Sequence, residues 1–105
     1  VGNYGLLQVE KFLAEEEIFQ RDMEWLKKAD LVIAEVSTPS LGVGYEIGLA
    51  LTLGKKILCL YRPGENRCLS AMIAGNPALQ VHYYSHLAEA EKLLADWIGQ
   101  FSGKA

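Results

Sequence analysis

Two short runs constrain the fold more than anything else in this sequence. "DLVIAEV" (30–36) and "KILCLY" (56–61) are nearly continuously apolar, and a third β-rich run, "LQVHYY" (79–84), follows them. A strand that is apolar on both faces must be covered on both, as a parallel strand between helices is. The intervening segments supply helical patterns. "AEEEIFQRDMEWLKKA" precedes the first run, "GYEIGLALTLG" follows it, "CLSAMIAG" precedes the third, and "HLAEAEKLLADWIGQF" comes last. The order α-β-α-β-α-β-α reads as an open parallel α/β sheet with right-handed crossovers.

A chain of 105 residues fits a single α/β domain, residues 1–105, with helices on both faces and the layering of Rossmann- and flavodoxin-like sheets. No repeat, linker or low-complexity segment interrupts it. Half of the residues are apolar, so a core is possible, but a domain this small is marginal alone and often leans on a partner subunit. The net charge of -3 argues against binding a nucleic acid duplex, which needs a basic patch. No apolar run approaches the roughly 18 residues of a membrane span. "VGNYGLLQVEKF" is not ordered like a secretory leader. Cys59 and Cys68 form no C-x-x-C pair and read as free, reduced thiols, which suits the cytoplasm or the nucleus. His82 and His86 are four apart, but a strand is expected to end between them, so no metal site is expected.

Several helix ends are marked. Gly54 can take the left-handed position after the second helix, and Gly75-Asn76-Pro77 stops the third. Ser85 is the expected cap of the fourth, with Leu87, Ala90, Leu94, Trp97, Ile98 and Phe101 as its inward face. The first helix carries an anomaly. Turning 100° per residue from Ile18 groups Phe19, Met23, Trp25, Leu26 and Ala29 on one side, and Asp22 falls at about 40°, inside that apolar side. An ionised carboxylate there needs a partner or a shifted pKa. A boundary acid paired with a backbone group or a neighbouring Arg would satisfy the same pattern.

The second helix is apolar all round from Val43 to Leu53, which predicts burial on every side. One side can face the sheet. A second copy of the chain is the economical cover for the other, with Gly44 and Gly48 permitting close backbone approach, so a homodimer is expected. The first or last helix could provide that cover instead.

In an open parallel sheet, ligands collect beyond the carboxyl ends of the strands. The turn "STPSLGVG" leaves the first strand there and enters the helix bearing Glu46. Free N–H groups at a helix start favour a phosphate, and Ser40 adds a hydroxyl. This is neither a P-loop nor G-x-G-x-x-G, so alone it is a weak phosphate motif. Glu46 could also be an acid stabilised by the helix dipole and nothing more. Asp22 and Glu46 lie on helices flanking the same strand. Two acids with separated proton affinities are what cleavage of a glycosidic bond requires.

Four segments in order, "DMEWL", "ADLVIAEV", "PSLGVGYEIG" and "LSAMI", resemble the 2'-deoxynucleoside 5'-phosphate N-hydrolases, relatives of the nucleoside 2-deoxyribosyltransferases, over roughly residues 17–84. The resemblance implies that Glu46 is the nucleophile at C1' of the deoxyribose and Asp22 the acid that protonates the departing base. It implies that Ser40 and Gly42 hold the 5'-phosphate, and that Ser70 and Met72 are lent to the neighbouring subunit's site. It also implies a homodimer, no cofactor, and hydrolysis of 2'-deoxynucleoside 5'-monophosphates to free base and 2-deoxyribose 5-phosphate. A non-catalytic nucleotide-binding or dimerising module and a deoxyribosyltransferase are the alternatives. From the residues alone, Ser70 could merely cap a helix, Met72 could be core, Tyr45 packing, and Arg62 and Arg67 solvated loop charges.

The family opens with a strand and Gly-rich turn of the pattern Y-F-x-G-S-I-R-G-G, and residues 1–16 match it poorly. The expectation is a chain truncated at its N-terminus, in which "YGLLQVEK" would otherwise have to improvise a strand.

Overall fold

The computed structural model describes residues 14–101. Helix α1 (Glu15–Lys28), strand β1 (Leu31–Glu35), helix α2 (Leu41–Thr52), strand β2 (Lys56–Tyr61), the short helix α3 (Ala71–Ala74), strand β3 (Gln80–Tyr83) and helix α4 (Leu87–Gly99) follow in the expected order. The three strands form one open, all-parallel sheet in the order β1-β2-β3. Leu58 of β2 stands opposite Gln80 of β3, and Tyr61 opposite Tyr83. The improvised strand considered for "YGLLQVEK" lies outside the described residues.

Strand β2 behaves as its apolar run requires. Every residue from Ile57 to Tyr61 is buried, and Leu58 and Cys59 have no exposed surface. Burial pushes the Cys59 thiol up to about 11, so it packs as a small protonated apolar group. Both cysteines are free, and Cys68 is exposed.

The chain forms two compact units. The first holds residues 14–34 and 40–57. Glu15, Glu16 and Glu17 begin α1, and Lys27 and Lys28 end it, each sign lying at the dipole end that favours it. Lys55 Nζ donates to the Lys27 carbonyl at 2.8 Å. Helix α2 starts three residues before the apolar pattern suggests, because Ser40 is its N-cap and accepts from Val43 N at 3.2 Å. Such a cap satisfies an otherwise orphaned amide and is worth about 1 kcal/mol. Gly54 follows α2 with φ of 73°, the left-handed conformation expected of it.

Two readings of the helices are corrected. Helix α2 is not buried on every side: Val43, Ile47 and Ala50 are buried, whereas Leu41 is 97% and Tyr45 59% exposed. One face suffices to cover its neighbours within the unit, and the opposite stripe, Leu41, Gly44, Tyr45 and Gly48, stays open. Helix α1 buries Met23 and Leu26, while Phe19 and Trp25 are exposed. Phe19 meets Tyr45 edge-on at 6.4 Å between ring centres, so Tyr45 does pack, but on the surface.

The second unit holds residues 35–39 and 58–101. Ser37 is buried, and its hydroxyl accepts from Arg62 N at 2.7 Å. Arg67 Nη1 donates to the Arg62 carbonyl at 3.0 Å and closes the loop after β2, so this exposed arginine has a structural partner. Asn66 in that loop takes a left-handed φ of 59°, which Asn tolerates better than most residues. The N-cap of α4 is His86, not Ser85: Glu89 reaches back to accept from both Ser85 N and His86 N, at 3.3 and 3.1 Å. A longer acidic side chain one turn inside the helix thus ties down the two amides just ahead of it. On α4, Ala90 and Trp97 are buried and Leu94 half-buried, but Leu87 and Ile98 are exposed, so the inward face is narrower than expected.

The sheet centre generates a stability prediction. Leu58→Ala removes a side chain with no exposed surface and should lower the unfolding free energy by about 2–5 kcal/mol, measured by urea denaturation. A loss under about 1 kcal/mol would contradict a close-packed β2.

Candidate active site

The residues singled out in the sequence divide between the two units. Asp22, Ser40, Gly42 and Glu46 belong to the first, and Ser70 and Met72 to the second.

In the first unit, Asp22 lies on α1 with its side chain 23% exposed, and its Oδ1 accepts from Arg21 Nε at 3.3 Å. The expected partner of this carboxylate is therefore its own sequence neighbour. The Arg21 guanidinium is held from its other side by Trp25, with its central carbon 4.8 Å from the ring centre. The exposed Trp25 thus carries a cation rather than joining the core. Helix α1 packs on α2, and Glu46 is half-buried there. Burial raises the Glu46 carboxyl above its usual 4.5, and the negative charge of Asp22 raises it further. The charge of Asp22 therefore reaches Glu46, and the two acids share one electrostatic neighbourhood.

The early start of α2 also bears on Glu46. No acidic residue occupies the first turn of this helix, so Glu46 sits beyond the reach of the strongest dipole field. The reading of Glu46 as an acid stabilised only by the helix start loses its support. Ser40 uses its hydroxyl oxygen as a cap acceptor, which leaves its O–H proton to donate elsewhere. A Cβ built on Gly42 would meet only Ser40 Oγ, at 3.9 Å. The chain itself therefore does not demand glycine at that position.

In the second unit, Ser70 caps α3, accepting from Met72 N at 3.2 Å. Met72 is 81% exposed and is no core residue. Sequence reasoning passed over a cluster in this unit. Glu35 at the end of β1 accepts from Ser37 N at 2.6 Å and from the Tyr84 hydroxyl. That bond to a carboxylate is the main reason the Tyr84 phenol lies above its ordinary 10.0. A lone Glu within the run "LVIAEV" was the only sequence signal. Among the described residues no group of three or more His, Cys, Asp or Glu could hold a metal ion. Nor, among them, is any helix long and apolar enough to cross a membrane.

The family model for nucleoside 2-deoxyribosyltransferase matches residues 5–94. The chain belongs to that family. The match extends beyond both ends of the 17–84 stretch that carried the resemblance. Among curated relatives, the 5-hydroxymethyl-dUMP N-hydrolase of Mus musculus is 64% identical over 58 residues, covering 55% of this chain and 34% of that protein. The protein of the same name from Danio rerio is 45% identical over 86 residues, covering 79% of this chain and 59% of its own length. That from Branchiostoma floridae is 59% identical over 58 residues, 55% of either chain. The chain thus spans between 34% and 59% of the length of these relatives.

The raised Glu46 carboxyl has a sign in stability. A carboxyl whose folded pKa lies above its unfolded value favours the fold in its protonated form. Its contribution is fully present below about 4.5 and is lost as pH rises through the higher folded value. Glu46→Gln, which cannot ionise, should therefore gain stability relative to the parent across that window and keep the gain at pH 7. Thermal unfolding of the two proteins from pH 4 to 7 checks this. A parent that gains on the variant as pH rises would reverse the assignment.

Proposed function

We propose that this chain carries the catalytic machinery of a 2'-deoxynucleoside 5'-monophosphate N-hydrolase, with Glu46 as nucleophile and Asp22 as general acid and base. Family membership and relatives named 5-hydroxymethyl-dUMP N-hydrolase support the substrate class, and make 5-hydroxymethyl-dUMP the first substrate to try. The observation that supports a two-acid site is the reach of the Asp22 charge to Glu46 across the α1–α2 packing, and the resemblance of "GVGYE" and "DMEWL" to the family's motifs supplies which acid takes which role. Cleavage of an N-glycosidic bond with a covalent intermediate requires two acids that can share one sugar.

In the first step a Glu46 carboxylate oxygen attacks C1'. The C1'–N bond breaks, its electron pair goes to the base nitrogen, and Asp22 delivers a proton to the base. The product is a 5-phospho-2-deoxyribosyl ester of Glu46. Asp22, now a carboxylate, then takes a proton from water as the water oxygen attacks C1'. The ester bond breaks and Glu46 leaves as carboxylate, giving 2-deoxyribose 5-phosphate. Raising Glu46 above the ordinary range makes it a more basic, and hence stronger, nucleophile once ionised. The 5'-phosphate would take the amides at the start of α2 and the Ser40 hydroxyl, with Gly42 keeping the approach open.

The reading extends to assembly. The open stripe of α2, Leu41, Gly44, Tyr45 and Gly48, suits a second copy, since an added Cβ at either glycine would meet nothing within 4 Å. In such a homodimer the exposed Met72 and Ser70 would serve the neighbouring subunit's site.

Two experiments test these roles. Chromatography of free base released from 5-hydroxymethyl-dUMP and other deoxynucleoside monophosphates should show release by the parent and a loss of about a thousandfold or more in Glu46→Gln. Release by the Gln variant at the parent rate would sink the mechanism, and calorimetric binding without release would favour a non-catalytic nucleotide module. A new nucleoside formed on adding a second free base would mark a transferase. Gly42→Ala should leave the fold at least as stable, since alanine gains up to about 1 kcal/mol over glycine in a helix. It should also raise KM for the phosphorylated substrate. An unchanged KM would remove Gly42 from the phosphate site.

A further inference from the structure

The geometry points to Arg21 as a positioning residue for Asp22, an inference that rests on the reading of Asp22 as the acid that protonates the departing base. The guanidinium is engaged on two sides. Its Nε donates to Asp22 Oδ1 at 3.3 Å, and its plane is held over Trp25 at 4.8 Å. The Arg21 and Asp22 side chains are only 20% and 23% exposed, so the pair is screened less than a surface ion pair. With Oδ1 tied to Arg21, no hydrogen bond to Asp22 Oδ2 is recorded among the described residues, which leaves that oxygen to carry a proton to the base.

A second observation separates this role from plain structural support. Arg21 Nη2 is buried and has no hydrogen-bond partner among the described residues. Buried polar groups are nearly always paired, and an unpaired guanidinium N–H is costly. An arginine kept for stability would complete its bonds. Among the described residues this one is oriented by Trp25 and Asp22, at the expense of an unsatisfied donor, which fits a group retained to aim a carboxylate. The direct consequence is selective. Arg21 acts on the protonation of the leaving group and not on the attack by Glu46.

The test compares two substrates in the parent, Arg21→Gln and Arg21→Lys: a natural deoxynucleoside monophosphate, and 4-nitrophenyl 2-deoxyribose 5-phosphate, whose phenolate departs without a proton. Loss of an oriented general acid should lower kcat of Arg21→Gln on the nucleotide by about tenfold to a hundredfold, while the nitrophenyl substrate stays within about threefold. Arg21→Lys keeps the charge but not the planar group and should recover only part of the loss. Equal losses on both substrates, or no loss on either, overturn the inference. A parent that turns over neither substrate would overturn the proposed activity instead. In that case the Arg21 Nε–H resonance of the unliganded protein decides: it should shift clearly on Asp22→Asn, and an unmoved resonance overturns the pairing.

Discussion

The site depends on a repulsion. Glu46 is half-buried on α2, and the charge of Asp22 on α1 makes its ionised form costlier still. A fold selected for stability alone would not bring two carboxylates to neighbouring helices without a cation between them. Among the described residues Arg21 lies beside the two acids, and it pairs with Asp22 rather than Glu46. Active sites commonly hold such unfavourable arrangements, offset by packing elsewhere. Strand β2, buried without a break from Ile57 to Tyr61, is the most closely covered element among the described residues.

Local structure sets how far that repulsion reaches. Because Ser40 caps α2, the helix begins at Leu41, and Glu46 falls in its second turn. In the first turn the helix dipole would have eased the burden on the carboxylate. One residue's capping chemistry thus moves Glu46 out of the field that would have lowered its proton affinity. The same cap takes the Val43 amide, and the amides of Leu41 and Gly42 are those that a helix start leaves without intrahelical partners. A single serine therefore bears on both the proposed phosphate site and the proposed nucleophile.

The order of elements and the parallel sheet were legible in the sequence because continuous apolar runs admit few other solutions. "KILCLY" matches β2 residue for residue, and "DLVIAEV" misses β1 by one residue at each end. Helix faces were read less well. Apolar residues all round α2 predicted burial all round, yet Leu41 and Tyr45 are exposed, since periodicity counts apolar residues and not the neighbours present to cover them. Trp25 was assigned inward by the same rule and instead lies under a guanidinium. The anomaly at Asp22 was legible, as an acid on an apolar face. Its partner was foreseen only as a kind of residue, and the cluster of Glu35, Ser37 and Tyr84 was not foreseen, because it joins positions 49 residues apart.

The repulsion has a consequence for the proposed chemistry. In the proposed cycle Glu46 is charged before attack while Asp22 holds the proton it gives to the base, and once Glu46 is a neutral ester Asp22 is the charged member. The repulsion between the two ionised acids favours states in which the pair carries a single negative charge, and each state of the proposed cycle carries one. Water attack in the second step regenerates the Glu46 charge. By then Asp22 has given its proton to the base and must take one from water, so the site returns to its starting charges only when that proton has been captured. Both acids are needed to pass the charge back and forth, and removing either should affect the two half-reactions unequally.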